Sequence, residues 1–107
     1  MNVQVLKIEP GNNADSWDVW LALPNQQVSF HFVRKAIAIG KYQGWSVTSE
    51  LRFYQTFQFN QHITHQVHQL LRQVIQGDST EFPISVGQFY TPEAAKAEMT
   101  RRLENKR

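Results

Sequence analysis

The chain has 107 residues, 41% of them hydrophobic and 12% aromatic, a net charge of +2 and no cysteine. That length makes one domain, residues 1–107, able to bury a core without a disulfide or metal staple. The missing thiol excludes a disulfide scaffold, thiolate catalysis and cysteine-ligated zinc, and the longest apolar run, five residues from Val19 to Leu23, is too short to span a membrane.

The start of the chain, Met1 to Lys7, lacks the basic segment and apolar stretch of a signal peptide, so a cytoplasmic location is expected. Residues 2 to 8 are rich in β-branched side chains and end at Pro10-Gly11-Asn12-Asn13, which predicts a first strand and a turn. From Asp15 to Leu23 the chain alternates, with Trp17, Val19, Leu21 and Leu23 on one face and Trp20 on the other. Pro24-Asn25-Gln26 breaks that run, and Gln27 to Val33 resumes it with Val28, Phe30 and Phe32 aligned, the pattern of an antiparallel hairpin. Arg34 to Tyr42 has no clear period: Lys35 to Gly40 could continue the strand or form a short helix, and a helical or irregular connection ending at Gly40 or Gly44 is the favoured expectation.

Trp45, Val47, Leu51, Phe53, Phe57 and Phe59 share one parity, which predicts a long strand, bent or bulged, with Arg52 and Tyr54 on its wet side. Asn60 is placed to cap a following helix, whose stripe is Ile63, Val67, Leu70, Leu71, Val74 and Ile75 and whose stop is Gly77-Asp78. Phe82 to Val86 reads as an edge strand because it contains Pro83. Thr91-Pro92-Glu93 opens a last helix with a thin stripe of Ala95, Met99 and Leu103, and Arg101, Arg102, Lys106 and Arg107 at its cation-favouring end. The expected fold is α+β: an antiparallel sheet of four or five strands with two main amphipathic helices packed on one face.

The segment Val86-Gly87-Gln88-Phe89-Tyr90-Thr91, followed by Ala94, Ala95 and Leu103, resembles the strand–helix half of a SPOR-type peptidoglycan-binding repeat. The resemblance covers about a fifth of the chain and lacks the other half-repeat, so it implies a strand followed by a helix and nothing about function.

Chemistry is sparsely signalled. His62, His65 and His68 recur every three residues, but successive members rotate by about 60°, so they do not converge on one ion, and a solvated helix face is expected. His31 has the parity of a surface position. Asp15 and Asp18 flank Trp17 on opposite strand faces, and no phosphate loop, serine elbow or His-Glu metalloprotease pattern occurs. No catalytic residue, metal site or cofactor is therefore assigned. Twelve Gln and six Asn outnumber either sign of charge, which suits a surface that docks partners without long-range steering. The leading expectation is a non-catalytic accessory or adaptor protein that binds another protein through Trp20 and the amide face Gln66, Gln69 and Gln73. The alternative is a single-stranded nucleic-acid-binding domain using Arg34, Lys35, Lys41, Tyr42, Arg52 and Tyr54.

Overall fold

The computed structural model describes residues 2–104, apart from the side chains of Ala95, Glu98, Arg102 and Glu104. Lys106, Arg107 and the side chains of Ala95 and Arg102, which figure in the expected last helix, lie outside that description. The elements are β1 (Asn2–Pro10), β2 (Ser16–Leu23), β3 (Gln26–Ile39), β4 (Tyr42–Ser49), α1 (Leu51–Thr56), α2 (Gln61–Ile75), β5 (Ile84–Gln88) and α3 (Pro92–Glu104). The strands form one curled antiparallel sheet in the order β4-β3-β2-β1-β5, so β4 and β5 are its edges.

Alternation decides which side is buried. Val19 and Leu21 of β2 face inward beside Phe30 and Phe32 of β3 and Val3 and Val5 of β1, all of them buried. In β1 a register shift between Val5 and Lys7 flips the parity, so Ile8 packs against the same core as Val3 and Val5. On the inner face α2 contributes Ile63, Val67, Leu70 and Leu71 at helical spacing, and it lies over β5 and β1.

Two expectations about the extent of the strands are corrected. Arg34 to Ile39 is neither helix nor loop: it continues β3, pairing with β4 from Arg34↔Val47 to Ile39↔Tyr42. The pairing of β2 with β3 ends at Ser16↔Val33, so this part of the hairpin projects as a two-stranded ribbon. With both of its faces largely in solvent, the ribbon has no buried stripe to betray it. The extension helps raise the radius of gyration to 16.0 Å, against roughly 13 Å for a compact chain of this length.

The long strand from Trp45 to Phe59 is likewise divided. β4 stops at Ser49 and α1 begins at Leu51. Phe53 in this short helix and Phe57 just past its end, four residues apart, are fully buried, whereas Leu51 is 70% and Phe59 51% exposed. Phe53 meets Phe30, Phe32 and Phe57 edge-on at ring-centre distances of 5.2, 5.0 and 5.3 Å.

Asn60 occupies the position before α2, but its side chain makes no capping bond. Instead its amide pairs with the backbone of Tyr90: Nδ2 donates to the Tyr90 carbonyl (2.9 Å) and Oδ1 accepts from the Tyr90 N–H (2.8 Å). His62 bonds the Gln88 carbonyl at 2.7 Å nearby, so the start of α2 is fastened to the end of β5. The strand at Phe82 to Val86 is found two residues later, at the sheet edge, and follows a cis Phe82–Pro83 bond.

Strand β5 followed by α3 matches the strand–helix order of the resemblance. Thr91 caps α3, its Oγ1 accepting the Ala94 N–H at 3.2 Å. Yet Met99 and Leu103 are 66% and 63% exposed, so α3 is not packed on the sheet as expected, and α2 alone of the two longer helices covers it. No helix of the described residues is long and apolar enough to cross a membrane.

Two stability outcomes follow. Phe53→Ala should lose roughly 3–5 kcal/mol in urea unfolding, while Leu51→Ala in the same short helix should change stability by no more than about 0.5 kcal/mol. Asn60→Ala should cost about 1–3 kcal/mol by stranding the Tyr90 backbone groups, and Asn60→Asp should fail to restore it, since a carboxylate cannot donate to the Tyr90 carbonyl.

Candidate functional site

Where the sheet leaves α2 behind, a groove opens between the helix and the edge strand β4. The ribbon wall is built by a two-residue turn, Gly40-Lys41, in which Gly40 has φ 59°, a conformation other residues adopt at a cost. Tyr42 then folds back across Gly44, with its hydroxyl 2.6 Å from where a Cβ would stand, so the ring lies flat only because position 44 has no side chain. Opposite, α2 presents Gln69, Arg72, Gln73 and Gln76, spaced to fall on one side of a helix. Together with Tyr42, Gly44 and Trp45 they enclose an open depression of about 400 Å³. A second depression of about 380 Å³ continues it between Ser46 and Val47 of the strand and His65, His68, Gln69 and Arg72 of the helix. The two share Gln69 and Arg72 and form one groove. From His65 to Gln76 the helix wall is about 16 Å long, and from Tyr42 to Val47 the strand wall is about 17 Å.

Trp45 and Arg72 meet at its centre. The Arg72 guanidinium carbon lies 4.7 Å from the centre of the Trp45 ring, and its Nη2 donates to the Trp45 carbonyl at 3.1 Å. Arg34 approaches the same indole at 5.8 Å and Trp17 at 5.5 Å. Its charge is matched by Asp15, whose Oδ1 accepts from Nε at 3.1 Å and from Nη2 at 2.7 Å. At the other end the Tyr54 hydroxyl accepts the Ser49 N–H at 3.0 Å and lies 3.3 Å from His68 Nε2.

His68 is half-buried, its ring edge-on to Phe32 at 5.6 Å. Burial holds its pKa below the ordinary histidine value, and the charges of Arg72 and His65 push the same way. A neutral ring leaves Nε2 free to accept from the Tyr54 hydroxyl. The three helix histidines therefore do not share one solvated face: His62 is bound to β5, His65 is exposed, and His68 is packed under Tyr54. Among the described residues no three His, Asp or Glu groups come together as a metal centre. His31, on the outer face, lies 3.0 Å from Asp18.

The residues singled out from sequence are redistributed. Gln69 and Gln73 line the groove, whereas Gln66 is exposed outside its lining. Trp20 is on the opposite side of the sheet, paired across the strands with Lys7 and Ser29 while its neighbours Val19 and Leu21 enter the core. It is half-buried, with the Lys7 ammonium 4.9 Å over its ring and an indole N–H shielded from solvent without a partner. Trp20 and the amide face thus do not form one surface.

Of the nucleic-acid set, Arg34 is held by Asp15, and Tyr54 by Ser49 and His68. Arg52 is held by Glu50, by the Ser29 carbonyl and by the face of Phe30. Lys35, Lys41 and Tyr42 are exposed on the ribbon. Sequence reasoning missed Trp45 and Arg72 as site residues. The readable signal was that Arg72 is the only Lys, Arg, Asp or Glu between Arg52 and Asp78, and that no such residue occurs from Tyr42 to Ser49.

The chain matches no protein-family model, and no characterised protein matches it either.

The His68 environment sets a pH dependence. The unfolded chain binds a proton on this ring more readily than the folded one, so stability is complete above about pH 6.5 and is lost as pH falls through the lower folded-state value. The urea midpoint should decline between pH 7 and pH 5. His68→Gln, which keeps an acceptor for Tyr54 but cannot titrate, should flatten that decline, and equal slopes would remove His68 as its source.

Proposed function

We propose that this chain is a non-catalytic accessory or adaptor domain that binds another protein, and that the partner docks in the groove between β4 and α2. The observation that carries this reading is the convergence, in one groove, of an amide row (Gln69, Gln73 and Gln76) with Tyr42 and Trp45 of an edge strand. Gln side chains both donate and accept, so they match a peptide backbone without charge. Aromatic side chains flanking an open depression supply the large apolar contact on which protein interfaces concentrate their energy. Tyr42 is 62% exposed, and Trp45 is half-buried rather than enclosed in the core.

A benzophenone amino acid placed at position 73 should, on irradiation in extract from the native host, give one discrete protein adduct. The same group at Gln27, on the outer face of the sheet, should not. Adducts of equal yield at both positions, or at neither, would remove the groove as the docking surface.

Single-stranded nucleic-acid binding is the second reading, supported by Lys35, Lys41 and Tyr42 exposed on the ribbon. It predicts a salt-dependent mobility shift with short oligonucleotides, and no shift at about 50 mM salt would end it.

A further inference from the structure

We infer that the groove takes an extended peptide segment carrying an acidic side chain, with the carboxylate received by Arg72. This rests on the groove being a docking surface and adds the chemistry of what docks there.

Charge supports an acidic occupant. Lys7, Arg34 and Arg52 each have a carboxylate partner, in Glu9, Asp15 and Glu50 at 2.7 Å, but among the described residues Arg72 has none. Neither depression is lined by an Asp or Glu, so nothing within the groove neutralises this cation. The guanidinium is already oriented by the Trp45 ring and by one bond to the Trp45 carbonyl. Of its five N–H donors, that bond uses one, which leaves a planar fork for a bidentate carboxylate. Because the fork is held before binding, less side-chain freedom is lost when the carboxylate arrives.

Spacing supports an extended backbone. Gln69 and Gln73 are separated by about 6 Å along the helix axis, close to the roughly 6.8 Å two-residue repeat of an extended chain. On the facing wall, every second residue of β4 turns its N–H and C=O away from β3. Trp45 and Ser49 belong to that set, since their outward groups bond Arg72 and Tyr54, and Val47 between them lines the groove. Both walls therefore repeat at nearly the period of an extended peptide, and about five residues would fill the length. Lying across Arg72 at the centre, such a segment would set its acidic side chain on the fork and its backbone amides against the glutamines.

The test is to pan phage-displayed random octapeptides on the full chain and measure the enriched clones by fluorescence anisotropy as synthetic peptides. The expected outcome is a shared Asp or Glu, with binding weakened about tenfold or more by Arg72→Gln. Lys96→Gln, which removes the same charge from the exposed helix α3 and outside the groove lining, should leave affinity unchanged, and unaltered circular dichroism of the Arg72 variant would exclude unfolding as the cause.

Clones without an acidic residue that bind in competition with one another and ignore Arg72→Gln would overturn the carboxylate assignment while leaving the groove a docking surface. No enriched clone at all would overturn both. Displacement of the peptides by a ten-residue oligothymidylate, at lower concentration than by the peptides themselves, would replace the acidic peptide with a nucleic-acid phosphate at Arg72.

Discussion

Phe53 meets four aromatic rings, those of Phe30, Phe32, Tyr54 and Phe57, each at a steep angle and within 5.3 Å between centres. Edge-to-face pairs of this kind are worth about 0.5–1.5 kcal/mol each beyond the area they bury. Much else in the chain follows from seating that one ring. It forces the backbone after Ser49 off the sheet and back over its inner face as α1. It brings Tyr54 to the edge of β4 and leaves α2 to cover β1 and β5 rather than the far end of β3 and β4. With a single helix of fifteen residues over a five-stranded sheet, one end must stay open, and it is the ribbon end.

At that open end the core gives way to a different kind of packing. Trp17 and Trp45 face the same way as Phe32 and Val47 but are only partly buried at the margin of the core, and their rings are met by Arg34 and Arg72. A guanidinium can lie on an indole while keeping its edges in water, so it suits a boundary between core and solvent better than an ammonium would. The two arginines differ in what balances them. Asp15 answers Arg34, which ties the ribbon to the start of β2. Among the described residues Arg72 meets a carbonyl and a ring face but no carboxylate, so its charge is less fully balanced than that of Arg34.

The parts legible in the sequence were those with one buried face and one wet face. β2, the first half of β3 and α2 alternate or rotate cleanly because each lies between core and solvent. Trp45 to Phe59 misled for an arithmetic reason: residues four apart share a strand parity and also a helix face, so Phe53 and Phe57 fit both periods. Leu51, at the start of α1, and Phe59, in the turn before α2, carried the distinction, being core in a strand but exposed here, and hydrophobicity alone could not reveal their exposure. Lys35 to Ile39 misled for the opposite reason, since a ribbon wet on both faces imposes no alternation. The amide row of α2 was readable, but its facing wall was not, because assigning Trp45 to the buried parity hid the groove it lines.

Edge protection shows why the groove lies against β4. A strand with a free edge and no charged residue, as Tyr42 to Ser49 is, offers a template for pairing with other chains, and proteins usually blunt such edges. Here the blunting comes from two side chains reaching in from the helices: Arg72 occupies the Trp45 carbonyl and Tyr54 the Ser49 N–H. Each covers one outward group and leaves its neighbours open, so the edge is guarded at intervals rather than sealed. Both guards belong to groups that a ligand or a proton can address. Arg72 retains free donors, and Tyr54 is in contact with His68, the one described group whose titration burial has moved. The bond that guards the Trp45 carbonyl therefore also holds Arg72 between the strand wall and the helix wall of the groove.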